Sequence, residues 1–280
     1  MSEATGLAIP REALGKWMSV THAAEDAFEA VLENHFGESH RGDLLARCAL
    51  AALAANPGRA LSSLHADWLA PAPPGVPIVL RVAALAGDAA RCEVHGAVAA
   101  SPCCRVTASF EASSGALSYQ DATLPPGLPQ PESLPTTVEY ARKEGWPEAY
   151  AAGPVEFRRV GPLHPNRARG ESSDHVTWLK LRAPLKRDAQ LEQAALIFLA
   201  TFYDHWEFER RIGERFDYAG FALRSHSVWL HRAARPDGWL LLRAGSRIAS
   251  GGRALSTREL FAQDGALLAT VASEARVAEA

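Results

Sequence analysis

The sequence predicts an α+β protein built from two tandem repeats, each a long central helix wrapped by an antiparallel sheet. Three observations predict it. Two helix-forming runs are apolar around nearly their whole circumference, strand-like stretches follow each run, and residue identities recur in the same order in both halves. A chain of 280 residues with 48% hydrophobic and 22% charged side chains has the material for cores of that size.

The first run starts at Gly42, continues from Asp43 to Leu53 as DLLARCALAAL, and stops at Asn56-Pro57-Gly58. A helix apolar on most sides has to be buried on most sides. Strands are expected near Leu61 to Leu69, Ile78 to Leu85, Arg91 to Val98 and Arg105 to Phe110, separated by Pro, Gly or small residues. The second helical run spans Leu191 to Tyr203. Strands are expected after it near Ala222 to His231, Trp239 to Ala244, Arg253 to Phe261 and Leu267 to Ser273, with Val155 to Val160 and His175 to Leu181 as opening strands.

The repeated identities tie the halves together. His65-x-x-Trp68-Leu69 answers to His226-x-x-Trp229-Leu230, Leu80-Arg81 to Leu242-Arg243, and Phe110 with Gly115-Ala116-Leu117 to Phe261 with Gly265-Ala266-Leu267. Between them Leu124 to Pro135 is too proline-rich for a helix or a central strand and reads as an extended linker. The expected organisation is a first repeat over 1–123, a linker over 124–150 and a second repeat over 151–280. A helix apolar on nearly every face needs a curved sheet around it, so the pattern is that of a double hotdog. Pairing the free edges of the two sheets removes an exposed edge and leaves a groove between the helices.

Composition excludes several functions. A net charge of −3 gives no footprint for nucleic acid or an anionic membrane. Glu3, Arg11, Glu12 and Lys16 interrupt the N-terminal apolar residues, and the longest helical apolar run, Cys48 to Ala55, is too short to span a bilayer, so a cytoplasmic protein is expected. Four cysteines without a Cys-x-x-Cys pair make no disulfide framework. Cys92, His95, Cys103 and Cys104 read either as metal ligands or as small buried residues; strand positions three apart face opposite sides, so no metal is expected. No Gly-x-Ser-x-Gly elbow, dinucleotide fingerprint or phosphate loop occurs, and no cofactor is expected.

Particular stretches carry a resemblance. They are Ser39-His40-Arg41-Gly42-Asp43, the segment Leu61 to Pro71 (LSSLHADWLAP), Val106 to Ala112 (VTASFEA), Ser225 to Arg232 (SHSVWLHR), Trp239-Leu240-Leu241 and Ala249 to Arg253 (ASGGR). On these, over nearly its whole length, the chain resembles the acyl-CoA thioesterase II family and its thioesterase-like relatives. The resemblance implies a site in which an Asp just before the His-Ser of this strand motif, a Thr or Ser, and a Gln orient a water against a thioester carbonyl. Here those positions hold Ser225, Arg247 (directly after Ser246), and Ser273 or its neighbours before Glu274. Ser225 cannot accept a proton at neutral pH as a carboxylate does. Arg247 reads either as a partner for a ligand carboxylate or phosphate or as a solvated strand-end residue.

The entry to the first helix is a second candidate. A helix N-terminus offers free N–H groups and a favourable dipole, and Gly42 would let the backbone approach a carbonyl closely. Asp43 beside His40 is then a base or nucleophile, if it points into the groove; if it points back along the helix it is a first-turn acid. His226 and Trp229 of the strand motif, together with Gln193 and Arg232, are the expected substrate-binding residues, with Asp204 as another groove-facing candidate. Leu45, Ala49, Leu196 and Leu199 are expected to line the acyl chain. The run from His205 to Arg211 reads as an exposed helix end or, alternatively, as a site for the CoA phosphates. The expected partner is an acyl-CoA or another acyl thioester. Two functions remain open: hydrolysis by an activated water, or binding without hydrolysis in a groove that has lost its water-positioning residues. Unpaired sheet edges also leave a homodimer or larger assembly open.

Overall fold

The computed structural model describes residues 18–33, 41–111, 117–144, 153–161 and 172–278; His40 lies outside them. In the first half, β1 (Thr21–Ala24) and β2 (Ala27–Val31) precede α1 (Arg41–Ala55), and β3 (Leu61–Trp68), β4 (Pro77–Leu85), β5 (Asp88–Val98) and β6 (Ser101–Phe110) follow it. A short helix, α2 (Thr137–Glu144), lies in the connecting segment. The second half contains β7 (Val155–Val160), β8 (His175–Leu181), α3 (Ala189–Ala200), α4 (Trp206–Ile212), β9 (Ala222–Leu230), β10 (Leu240–Ser250), β11 (Arg253–Ala262) and β12 (Leu267–Arg276).

All twelve strands form one antiparallel sheet in the order β1-β2-β4-β5-β6-β3-β9-β12-β11-β10-β8-β7. The halves meet where β3 pairs with β9, from Ser63 opposite Trp229 to Asp67 opposite Ser225. Each half's exposed edge is thereby satisfied by the other, and the edges that remain, β1 and β7, are only four and six residues long.

Every residue of α1 from Gly42 to Leu53 is buried, as its apolar circumference requires. The helix stops where the Asn56 side-chain amide donates to the Ala52 carbonyl (2.8 Å) and Gly58 takes a positive φ of 77°. Helix α3 starts on Asp188, whose carboxylate accepts from the N–H groups of Gln190 and Leu191. The two helices run antiparallel inside the curve of the sheet. At one end the Gln190 amide donates to the Leu53 carbonyl (3.2 Å), and at the other Gly42 lies against Thr201.

That contact explains the glycine. A Cβ on Gly42 would sit 2.3 Å from Thr201 Oγ1 and 3.2 Å from Thr201 Cβ. Gly42→Ala is therefore expected to destabilise the protein by about 1–3 kcal/mol although alanine is the better helix former. Thermal melts of Gly42→Ala and Gly42→Ala/Thr201→Ala check this: the second substitution should recover most of the loss, and an unperturbed single variant would show that the helices have room to part.

Three elements differ from expectation. The β1–β2 hairpin extends the first half's sheet beyond the strands expected there. The linker segment contains a helix: its proline-rich part runs over the outer face of the second half, where Leu124, Leu128 and Leu134 cover Trp178, Leu241 and Phe261 and the Trp178 indole donates to the Pro129 carbonyl (3.0 Å), and α2 then follows. The run from His205 to Arg211 is not an exposed helix end, because Trp206, Glu207, Phe208 and Glu209 of α4 are all buried.

Candidate functional site

The inner face of the seam carries an unusual amount of polarity. His226 on β9 has Ala66 as its register partner on β3 and Ser273 on β12, and Ser273 in turn faces Ser256 on β11. Side chains alternate along a strand, so His226, Ser273 and Ser256 form one row beneath the helices, and all three are buried. The hydroxyls of Ser273 and Ser256 have no hydrogen-bond partner among the described residues. Such groups are costly inside a core.

His226 is held from both sides. The Trp68 indole N–H donates to its Nδ1 (2.8 Å), and its Nε2 lies 3.1 Å from Oδ2 of Asp204, which comes from the turn after α3. Both carboxylate and imidazole are buried. Burial alone would raise the Asp204 pKa, but the contact from His226 and the positive charge of Arg258 outweigh it and hold the carboxyl below its ordinary range. Arg41 at the start of α1 stacks over the Trp68 ring (5.1 Å) and donates to the Ala70 carbonyl.

The repeated His-x-x-Trp motifs meet here in an unexpected way. Each histidine touches the other repeat's tryptophan: Trp68 with His226 on the inner face, His65 with Trp229 (5.5 Å between ring centres) on the outer one. His65 also bonds Ser227 Oγ (3.0 Å). Matching identities therefore occupy opposite faces of the sheet, which is what a one-residue difference in register produces.

The three positions that the family resemblance singles out do not converge. Ser225 alternates with buried His226 and so points to the outer face, in register with Asp67 and Glu274. Arg247 occupies a bulge in β10, three strands away at roughly 14 Å across the sheet, where it is exposed and pairs with Asp174 (2.8 Å). Ser273 is the one that faces inward, beside His226. At the helix entry, Asp43 turns along its own helix onto Arg47 (3.1 Å), and Arg47 also donates to the Ser19 carbonyl (2.6 Å). On the side where a Cβ would stand, Gly42 lies against Thr201. Burial, only partly countered by Arg47, pushes the Asp43 carboxyl up to about 6, and its Oδ2 has no partner among the described residues.

Gln193 and Arg232 lie at the opposite end of the helix pair. Both line a cavity of about 480 Å³ with Leu61, Ser62, Glu111 and Leu196. The Gln193 carbonyl oxygen accepts from the Leu61 N–H (2.9 Å), while Arg232 donates to Gln120 (2.7 Å). Trp229 lines a neighbouring depression on the outer face. Leu45, Ala49 and Leu199 are packed in the core, and Leu196, also buried, lines the cavity shared by Gln193 and Arg232. His95 faces outward to Glu93 while Cys92, Cys103 and Cys104 are buried, so those four do not gather. No helix among the described residues is long and apolar enough to cross a membrane.

A family model described as the acyl-CoA thioesterase C-terminal domain matches residues 128–277, just over half of the chain. The protein belongs to the acyl-CoA thioesterase family. An acyl-CoA thioesterase 2 from Haemophilus influenzae is 27% identical over 250 residues, covering 85% of this chain and 87% of that protein. Among solved structures, a tesB protein of Mycobacterium avium subs paratuberculosis superposes with a TM-score of 0.78 at 20% identity, over 97% of this chain and 99% of the other. A hot dog fold protein from Alicyclobacillus acidocaldarius does so with 0.75 at 17% identity, over 95% and 97%. The fold of this acyl-CoA thioesterase family member is thus the double hotdog.

Within that family frame, the sequence singles out His226 and Asp204 separately and places Trp68 only in a repeat. The signal for their contact is present as the recurring His-x-x-Trp spacing. Which of the two copies turns inward is not, because that depends on register.

Proposed function

We propose that the protein hydrolyses the thioester of an acyl-CoA or a related acyl thioester, with water as the nucleophile. Membership of the acyl-CoA thioesterase family supports the reaction class. The observation that carries the reading to this chain is the buried polar row at the seam, where His226, in contact with Asp204, stands in line with the hydroxyls of Ser273 and Ser256, which have no hydrogen-bond partner among the described residues. A carboxylate and hydroxyls in a water-poor site are the groups that orient a water and steady a tetrahedral intermediate.

A second reading, binding without hydrolysis, is favoured by one observation: Ser225 faces outward and Arg247 is engaged by Asp174. Thiol release from a panel running from acetyl-CoA to palmitoyl-CoA separates the two. Hydrolysis is expected to yield equal amounts of free CoA and acid, with a chain-length preference. Saturable binding of the same thioesters with no thiol released would replace the first reading by the second.

A further inference from the structure

We infer that Asp204 is the base that takes the proton from the attacking water, and that Trp68 and His226 are positioning residues that hold it ready. The inference rests on the hydrolase reading and goes beyond it by naming a carboxylate that does not stand at the family's position.

Two other buried carboxylates near this end of the helices are committed elsewhere. Asp43 is turned onto Arg47 and Glu207 onto Arg258, whereas the one ionisable side chain at contact distance from Asp204 among the described residues is His226, whose Nε2 lies 3.1 Å from Oδ2 without the alignment of a hydrogen bond. One carboxylate oxygen faces the imidazole, which leaves the second for a water.

Hydrogen-bond chemistry fixes the state of His226. An indole N–H can only donate, so the bond from Trp68 makes His226 Nδ1 an acceptor and puts the ring proton on Nε2, facing Asp204 Oδ2. A second proton on the ring would have to displace the indole. The ring therefore supports the negative charge of Asp204 without cancelling it.

The backbone points the same way. Tyr203, the residue before Asp204, has a left-handed φ of 48° although it is not glycine. Its carbonyl is held by Arg258 (2.9 Å) and its ring is stacked on Trp206 (4.4 Å between centres, 10° between planes). Conformations of this kind persist where the surroundings enforce them, and they gather at functional sites. Here the turn carries the chain off α3 and presents Asp204 to the seam.

The step balances within the site. Water oxygen bonds to the thioester carbonyl carbon as Asp204 takes one water proton. The tetrahedral intermediate then collapses, the C–S bond breaks, and the departing thiolate takes that proton back from Asp204. The products are a free acid and a thiol, and the carboxylate is restored.

The test is thiol release by wild type, Asp204→Asn and Trp68→Phe, each checked for folding by its melting transition. Asp204→Asn is expected to lower kcat by about 100-fold or more, with the loss in kcat rather than in KM. In Trp68→Phe the ring keeps most of its bulk but His226 Nδ1 loses its donor, so the imidazole no longer has a fixed tautomer and orientation toward Asp204. Its kcat should fall while KM stays near wild type, and Trp68→Phe/Asp204→Asn should be no slower than Asp204→Asn alone, a non-additivity that a merely structural loss would not produce. If Asp204→Asn does not fold, the split between kcat and KM in Trp68→Phe decides. Wild-type kcat in folded Asp204→Asn, or in Trp68→Phe, overturns the inference and leaves the hydrolase reading standing. A wild type that releases no thiol overturns both.

Discussion

Replacing Arg258 with Met should destabilise the protein by about 3–5 kcal/mol, the cost of leaving a buried charge without its partner. Arg258 projects from β11 into the interior and is fully buried with Glu207. Its Nε and Nη2 bond both oxygens of that carboxylate (2.9 and 2.7 Å), while Nη1 and Nη2 also reach the carbonyls of Phe202 and Tyr203 (2.8 and 2.9 Å). One guanidinium thus satisfies carbonyls in the turn after α3 and a carboxylate in the first turn of α4. Met fills a similar volume but leaves Glu207 ionised without a counter-charge and two carbonyls without a donor. For a chain of this size the loss corresponds to a fall in Tm of roughly 6–20 °C. Arg258→Met/Glu207→Leu should be much closer to wild type, since removing both members of a buried pair is often nearly neutral. Denaturant titrations of the two single variants and the double complete the cycle. An Arg258→Met protein as stable as wild type would mean that Glu207 finds another partner or takes up a proton.

The same arginine marks where the sequence stops being readable. Helices α1 and α3 are legible because their apolar circumference is a local property, and the strands after them are legible from their turns and β-branched residues. Helix α4 looks exposed in sequence because Glu207, Glu209, Arg210 and Arg211 look solvated, and the partner that lets Glu207 be buried lies on a strand remote in sequence. The β1–β2 hairpin escapes a sequence reading because THAAEDAFEA is rich in Ala, Glu and Asp, which are poor strand formers, and its second strand is held by pairing with β4. In the site, the residue types are legible and their directions are not. Bulges at Arg224 and Arg247 displace the adjoining stretch of each strand by one residue, and a shift of one exchanges the faces of the sheet. Ser225, aligned with the family's Asp, turns outward because it alternates with the inward His226.

Asp43 should leave its mark on the pH dependence of stability. Its carboxyl is pushed from an ordinary 3.8 to about 6 in the folded protein, by burial first, with Arg47 opposing and Glu33 reinforcing. Between those two values the folded state holds more protons than the unfolded state, so stability has to fall as pH rises through that window. A shift of roughly two units corresponds to about 3 kcal/mol, present in full at about pH 3 and lost by about pH 7. The raw curve will not show this cleanly. His175, buried and held well below its ordinary value, acts with the opposite sign, contributing stability that is lost as pH falls below 6.5. Asp204, held below its ordinary range, acts only below about pH 4. The informative quantity is the difference between wild type and Asp43→Asn, in which the groups common to both proteins cancel. Asn keeps the shape, and Arg47 keeps its bond to the Ser19 carbonyl. Urea titrations at half-unit intervals from about pH 4 to 7 should give a wild-type minus variant difference that declines until about pH 6 and is level beyond. Parallel curves would mean that Arg47 compensates Asp43 fully and the carboxylate is ionised throughout, a stable ion pair at the helix entry. A declining difference leaves Asp43 as a group that changes charge near pH 6, next to the contact that Gly42 makes with Thr201 between the two halves.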